Sequence, residues 1–177
     1  AHAASSFYVS GFDNAAILTL DGAGDFLTGT MALGENTKIK ILKRLTWPHS
    51  VGILYSGVTQ YLGFPRAGDE GKVMGLASYG APIYLDKFRE IIKIKKSGFE
   101  LNLDYFLHHR PEVVDRWGTP SSTVGDYSYE LSDKFHDLFG PPREPKDGLT
   151  KRHKDIACSL QAVLEETVYS LLNYLHG

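Results

Sequence analysis

The apolar period of this chain changes after Pro48, and this change limits the fold classes open to it. Beyond Pro48, apolar residues recur at the spacing of one helix face: Val51, Leu54, Tyr55, Val58 and Leu62. Before it, turn signals separate three short runs with the pattern of β-strands, at 15–20, 26–33 and 38–43. The sequence therefore predicts an α/β fold in which three antiparallel strands precede a helix, with Ser50 as its N-cap and Gly63 as its stop.

A short helix and a hairpin are expected next. The helix should cover about 85–92, and the hairpin should pair the strands 92–95 and 99–105 across a Ser-Gly turn. The hairpin carries a group of three lysines: Lys93, Lys95 and Lys96. We interpret this group as a solvated strand and turn, with phosphate binding as the alternative.

The last part of the chain divides into an irregular segment and a long helix. Residues from about 107 to 150 are rich in proline, glycine and charge, which predicts a lid-like insertion with a helix over about 128–138. An apolar stripe over 155–175 predicts a helix of more than five turns at ~3.6 residues per turn. Unless another element covers it, part of that stripe should be exposed.

Composition excludes several functional classes. A net charge of −2 and a pI near 6.4 argue against a strongly basic nucleic-acid-binding surface. The sequence has neither a membrane-spanning run of ~20 apolar residues nor a secretory signal pattern at its start. Its single cysteine, Cys158, lies in a helical pattern and is expected to be a packed residue in a reducing compartment, which predicts a cytoplasmic protein.

Two residues near the start are candidates for a metal or nucleotide site. Asp21 ends an apolar strand and is followed by Gly22, an arrangement that lets phosphate approach the backbone. The alternative is an aspartate that caps a hairpin turn. His2 has the imidazole that borderline transition metals bind, but on local grounds alone the sequence favours an exposed histidine without a function.

Two further segments suggest anion binding. His49 precedes the predicted helix and can donate to a phosphate attracted by the helix N-terminus, or it can be a capping or loop-packing histidine. The segment 68–80 contains Lys72, Gly75 and other glycines. One interpretation is that its backbone closely approaches another group, with Lys72 supplying positive charge; the other is a tightly turned connector. It is neither a Walker loop nor a dinucleotide fingerprint.

Two other patterns do not support chemistry. Residues His108, His109 and Arg110 have a composition suited to metal or phosphate, but neighbours on an extended segment point to opposite sides, so we expect surface residues. No Gly-x-Ser-x-Gly elbow surrounds any serine, so a hydrolase triad is not supported.

Taken together, these segments resemble the O-carbamoyltransferase family that includes nodulation protein U and the antibiotic O-carbamoyltransferases. The resembling residues occur in the same order along nearly the whole chain: 1–8, 17–22, 48–56, 63–64, 71–77 and 155–157, with Ser159 and Gln161. The ordered set carries the resemblance, and the stretch from about 107 to 150 is its least distinctive part.

The resemblance implies a fold and a reaction. It implies the first half of an actin-like ATPase (ribonuclease H-like) domain. In the family, carbamoyl phosphate and ATP form carbamoyl-adenylate in a separate C-terminal lobe. The actin-like domain then transfers the carbamoyl group to a hydroxyl-bearing small molecule with the help of a bound divalent metal, iron or alternatively magnesium.

The resemblance also implies site residues. The family holds its metal with a His-x-x-x-His pair, an aspartate after the first long strand and a distant second aspartate. His2 matches the second histidine and Asp21 the first aspartate, which makes both catalytic and metal-binding candidates. The nucleotide or carbamoyl site would be lined by Gly22, His49, Ser50, Lys72 and Gly75.

The first histidine of the pair would lie before residue 1, and the second aspartate after residue 177. Residues 1–177 are therefore expected to be part of a domain that needs the C-terminal half of the same protein as its partner and is inactive alone. Two other functions remain open: a sugar-kinase-like phosphotransferase of the same fold, and a non-catalytic interaction domain.

Overall fold

The computed structural model of the chain describes residues 1–66, 68–114 and 131–176. Its strands are β1 (Asn14–Gly24), β2 (Leu27–Glu35), β3 (Lys38–Thr46), β4 (Ile92–Lys95) and β5 (Gly98–Leu101). Its α-helices are α1 (His2–Phe7), α2 (Val51–Tyr61), α3 (Glu70–Ala77), α4 (Leu85–Ile91), α5 (Pro111–Val114), α6 (Asp133–Phe139) and α7 (Lys151–His176). A short 3-10 helix covers Leu103–Tyr105.

The predicted sheet of three antiparallel strands followed by a helix is confirmed, with β2 between β1 and β3. The predicted strands left residues 21–25 for the turn between the first two strands, but the turn in the structure is shorter and begins later. β1 continues past Asp21 to Gly24, and the turn lies at Asp25 and Phe26, whose φ angles are 51° and 62°. Pairing with β2 is irregular between Leu20 and Gly24. Asp21 therefore lies within an irregular stretch of strand and does not cap a turn.

Both predicted ends of α2 are confirmed. The Ser50 side chain accepts a hydrogen bond from the Ile53 N–H at 3.1 Å, which satisfies one of the free donors of the first helical turn. Gly63 has a φ of +78°, a conformation that a side chain disfavours and that ends the helix. The start and the end of α2 are thus each fixed by a local feature that sequence pattern can predict.

The glycine-rich segment 68–80 contains a helix that the sequence analysis did not predict. α3 buries Val73, Leu76 and Ala77, and this burial offsets a helix cost of about 1 kcal/mol for each interior glycine. The close backbone approach expected of this segment occurs at Gly80. A Cβ atom there would lie 2.8 Å from the backbone nitrogen of Asp155 and would collide with the Lys154 carbonyl group on α7.

The predicted helix over 85–92 is confirmed as α4, which ends one residue earlier, and the predicted hairpin is confirmed as β4 and β5. The second strand ends at Leu101 because the chain then enters the 3-10 helix, where the Asn102 side chain accepts from the Asp104 N–H at 3.3 Å. The three lysines of the hairpin are exposed, as expected.

The main core lies between the sheet, α2, α3, α4 and α7, and part of the segment 107–150 belongs to it. Phe135 and Phe139 of α6 are buried there, with ring centroids 4.6 Å apart, and the Phe139 ring lies 4.9 Å from that of Phe88. The expectation of a lid apart from the core is therefore wrong for α6, whereas residues 144–150 are exposed. α6 starts later than the helix predicted over 128–138, of which 128–130 lie outside the described residues.

The long C-terminal helix is confirmed as α7, and it begins four residues before the predicted start. One face packs into the core through Leu160, Val163 and Leu171. Near its end, Tyr169 and Leu172 are 65% and 41% exposed, so part of the apolar stripe is uncovered, as predicted. None of the helices in the described parts of the chain has the length and apolarity needed to cross a membrane.

His108 was expected at the surface and is instead fully buried. Its Nε2 atom lies 2.9 Å from the Pro48 carbonyl oxygen, and its ring packs edge-on against Trp47 at 4.8 Å. The pKa of His108 is lowered to about 4, chiefly by burial; the hydrogen bond to the Pro48 carbonyl raises it, and the nearby His109 and His49 contribute to lowering it. The imidazole is therefore neutral at physiological pH, and its burial against the residues before α2 is structural.

This histidine should make the stability of the fold depend on pH. The unfolded chain binds the proton with a pKa of about 6.5, whereas the folded chain binds it far more weakly, so the contribution is complete above pH 6.5 and is lost as the pH falls toward 4. We expect a loss of roughly 2–3 kcal/mol. His108→Gln keeps a donor for Pro48 and cannot be protonated, so it should remove this part of the pH dependence in urea titrations. His176→Gln, at the exposed end of α7, is the control and should leave the profile unchanged.

Candidate functional site

The first feature of the candidate site is the contact between His2 and Asp21. The His2 Nε2 atom lies 2.9 Å from Asp21 Oδ2, across 19 positions of sequence. α1 lies against the sheet because Phe7 packs with Ile17 and Ala32 in a second, smaller core cluster. Ile17 is on β1, so this packing holds α1, and with it His2, near the part of the strand that carries Asp21.

The Asp21 carboxylate is held by its own backbone. Its Oδ1 atom accepts the Gly22 N–H at 2.7 Å, which leaves Oδ2 directed at His2. The Asp21 carbonyl oxygen accepts the Ser50 hydroxyl at 2.9 Å, and Ser50 is fully buried. Ser50 therefore joins the irregular stretch of β1 to the start of α2. Its buried side chain holds Asp21 in position and has no contact with solvent.

Asp21 lies between two cavities. The first, which we call the α1 cavity, has a volume of about 340 Å³ and contains His2, Thr19, Thr30 and Arg44 in its wall. The second, the α2 cavity, has a volume of about 500 Å³ and lies between β1, α2, α3 and α7. Because Asp21 lines both, a ligand in one cavity would lie close to a ligand in the other.

The α2 cavity has mostly apolar walls and one prominent acid. Glu70, the first residue of α3, accepts the Ser56 hydroxyl at 2.7 Å and lines the cavity. Burial raises the pKa of Tyr55 to about 12, and the negative charges of Glu70 and Glu165 add to this effect. Tyr55 therefore keeps its proton, and its hydroxyl donates to Gln161 at 3.1 Å.

Gly52 brings the start of α2 against the backbone of β1. A Cβ atom on Gly52 would lie 2.7 Å from the Gly22 nitrogen and 2.8 Å from its Cα atom. Both are backbone atoms, which cannot move aside as a flexible side chain can. This close approach makes Gly22 and Gly52 neighbours in the wall of the α2 cavity.

The structure brings only some of the sequence-predicted residues together. His2, Asp21 and Gly22 line the two cavities, with Ser50 buried beneath them. The His49 ring lies elsewhere, since its Nδ1 atom accepts the Leu101 N–H at 3.1 Å.

Lys72 and Gly75 line neither cavity. Lys72 makes an ion pair with Asp69 at 2.6 Å, and Gly75 is exposed on α3. Glu70 and Gly52 were not predicted. Glu70 belongs to the glycine-rich segment 68–80. It was missed because it lies in the first turn of α3, a helix that the sequence did not predict.

His2 and Asp21 together offer an imidazole and a carboxylate, the two kinds of group that could hold a divalent cation. Side-chain exposures of 71% for His2 and 43% for Asp21 leave both accessible to an ion. In the parts of the chain that the structure describes, no group of three or more histidine, cysteine or carboxylate residues is placed to hold a metal. The pair therefore provides two ligands, one imidazole and one carboxylate.

Comparison with known proteins decides the family. The family described as "Carbamoyltransferase N-terminus" matches residues 1–177. The chain belongs to this carbamoyltransferase family.

Its relatives include the uncharacterised protein sll1178 of Synechocystis sp., 38% identical over 99% of this chain. They also include the nodulation proteins NolNO of Sinorhizobium fredii and NolO of Bradyrhizobium diazoefficiens, 36% and 32% identical over 98% of the chain. The chain spans 26%, 22% and 27% of these three relatives, or about a quarter of their length.

Proposed function

We propose that the full-length protein transfers a carbamoyl group to a hydroxyl of a small molecule. The donor would be carbamoyl-adenylate, made from carbamoyl phosphate and ATP in another part of the same protein. The observation that carries this proposal is the 2.9 Å contact between His2 and Asp21, which joins two residues of the carbamoyltransferase pattern beside a cavity. Family membership supports the general reaction, and the geometry supports the site.

His2 and Asp21 fit a divalent cation. Imidazole favours iron over magnesium, and a carboxylate suits either ion. When bound, the cation would polarise the carbamoyl carbonyl group. The chain's own contribution is to hold Asp21 Oδ2 toward His2, through the Gly22 N–H at Oδ1 and the Ser50 hydroxyl at the carbonyl oxygen.

The α2 cavity fits the nucleoside part of the donor. Its apolar walls suit a base, and the Glu70 carboxylate can accept hydrogen bonds from ribose hydroxyls while it keeps the Ser56 contact. The bare backbone at Gly22 and Gly52 lets a phosphate approach closely. This arrangement would place the phosphate beside Asp21, where the two cavities meet.

We also propose that the domain is an actin-like ATPase domain completed by the C-terminal half of the protein. The chain's sheet and following helix agree with the start of such a domain. The exposed apolar residues near the end of α7, Tyr169 and Leu172, are compatible with an element that packs there.

Analysis of the nucleotide products tests the reaction. The full-length protein, given ATP and carbamoyl phosphate, should release pyrophosphate and orthophosphate only when both substrates are present, and AMP should follow as the carbamoyl group passes from the adenylate to an acceptor hydroxyl or to water. ADP together with a phosphorylated acceptor would contradict the proposal and indicate a sugar-kinase-like phosphotransferase. The absence of any nucleotide turnover would also contradict it and indicate a non-catalytic domain.

A further inference from the structure

A third cavity lies away from the α2 cavity, between β3 and the β4–β5 hairpin. Its volume is about 350 Å³, and we call it the basic cleft because four cationic residues line it: Lys43, Arg44, Lys95 and Lys96. Arg44 also lines the α1 cavity, and as the neighbour of Lys43 on β3 it points to the other face of the strand, so the lysines supply the charge of the cleft. The carboxylate in its wall is Glu100, and that group makes an ion pair with Lys95. The chain as a whole has a net charge of −2, so this concentration of positive charge is local.

The remaining cations of the basic cleft have no acidic partner. In the described part of the chain, no ion pair includes Lys43, Arg44 or Lys96. Lys43 is partly buried, and its ammonium group donates to the Ser97 hydroxyl at 2.6 Å, which holds the charge at the cleft wall. Like charges held together without a counter-charge repel one another, so a bound anion would stabilise this region.

His49 supplies a neutral donor to the same cleft. Its Nδ1 atom accepts the Leu101 N–H at 3.1 Å, so in the neutral ring the proton is on Nε2. The ring lines the basic cleft, and no described side chain or carbonyl group accepts from Nε2. His49 therefore presents an N–H donor to a ligand in a cleft different from the one for which the sequence suggested it.

We propose that the basic cleft binds a small anion through its phosphate groups. A phosphate group carries about −1.5 to −2 charges and three acceptor oxygens, so a diphosphate can satisfy Lys43 and Lys96 together with the His49 and Ser97 donors. A carboxylate has one charge and two oxygens and would leave part of this set unsatisfied. The inference does not rest on the proposed transferase function, because none of Glu70, His2 and Asp21 lines this cleft.

Titration of pyrophosphate into the full chain tests the proposal, with backbone amide chemical shifts and calorimetry as the two measurements. The largest shift changes should occur at Ser97, Gly98 and Leu101. Lys43→Gln combined with Lys96→Gln should weaken binding at least about tenfold, which is ~1.4 kcal/mol. Lys40→Gln combined with Lys146→Gln removes the same charge at two exposed positions outside the cleft, and it should retain native affinity.

The relative affinities of pyrophosphate, ADP and succinate identify the ligand class of the basic cleft. Pyrophosphate that binds as tightly as ADP would assign the cleft to free diphosphate, whereas tighter binding of ADP at the same amides would assign it to a nucleotide; both support the proposal. Succinate binding as tightly as pyrophosphate would overturn it, as would equal losses in the two double variants or a lack of binding by the native chain. Glu70→Gln should leave the pyrophosphate shifts unchanged, so a failure of the nucleotide site is distinguishable from a failure of this one.

Discussion

Replacing Asp21 by asparagine in the full-length carbamoyltransferase should reduce carbamoyl transfer by at least about 10³-fold while adenylate formation continues. The loss would follow from the removal of a charged ligand of the proposed cation, since cation polarisation of a carbonyl is worth several kcal/mol of transition-state stabilisation. Asparagine has nearly the same size, and its amide oxygen can still accept the Gly22 N–H. The fold should therefore survive, and the effect should be on chemistry.

Two assays on the same enzyme measure this result: pyrophosphate release for adenylate formation, and carbamoylated product for transfer. Asp13→Asn is the matched control, because Asp13 is an exposed carboxylate just before β1. It should leave both activities at the native level. Transfer at the native rate in the Asp21 variant would remove the role assigned to Asp21, and an equal loss of both activities would point to a general defect instead.

Gly52→Ala should destabilise the protein and lower transfer, although alanine is the better helix former by about 1 kcal/mol. The added Cβ would lie 2.7 Å from the Gly22 nitrogen, so α2 and β1 must separate where Asp21 and Gly22 are held. Overpacking of this kind costs roughly 1–3 kcal/mol. A displacement of about 1 Å at a reacting centre can cost on the order of 10²-fold in rate.

The control for this substitution is Gly71→Ala on α3, where a Cβ atom would meet nothing within 4 Å. That variant should be more stable by up to about 1 kcal/mol in thermal unfolding, with unchanged transfer. A Gly52→Ala protein that is also stabilised and fully active would show that the contact between α2 and β1 is not tight. Stabilisation with loss of transfer would instead show that Gly52 contacts the ligand directly.

Local pattern was sufficient to predict the elements whose determinants lie close together in sequence. The three strands, the Ser50 cap and the Gly63 stop each depend on a few neighbouring residues. α3 was missed because its glycines disfavour a helix locally, and the burial of Val73 and Leu76 that stabilises it depends on distant elements. The low helix propensity of this segment is offset by tertiary packing, which local sequence pattern does not predict.

The same distinction holds for the candidate site. The family pattern placed His2 near Asp21, and their contact at 2.9 Å agrees with that expectation. His49 is next to Ser50 in sequence, yet its ring is held by the Leu101 N–H, 52 positions away. His108 was predicted at the surface but is buried. Its contact with the Pro48 carbonyl, 60 positions away, cannot be deduced from neighbouring residues.

The proposed function requires that His2 and Asp21 bind one divalent cation. Anomalous diffraction at the iron absorption edge, from crystals of the full-length protein prepared with ferrous iron, tests this claim directly. We expect one peak bonded to His2 Nε2 and Asp21 Oδ2 at about 2.0–2.2 Å, the range for imidazole and carboxylate ligands of zinc. A peak at other residues, or no peak and a direct hydrogen bond between His2 and Asp21, would contradict the account.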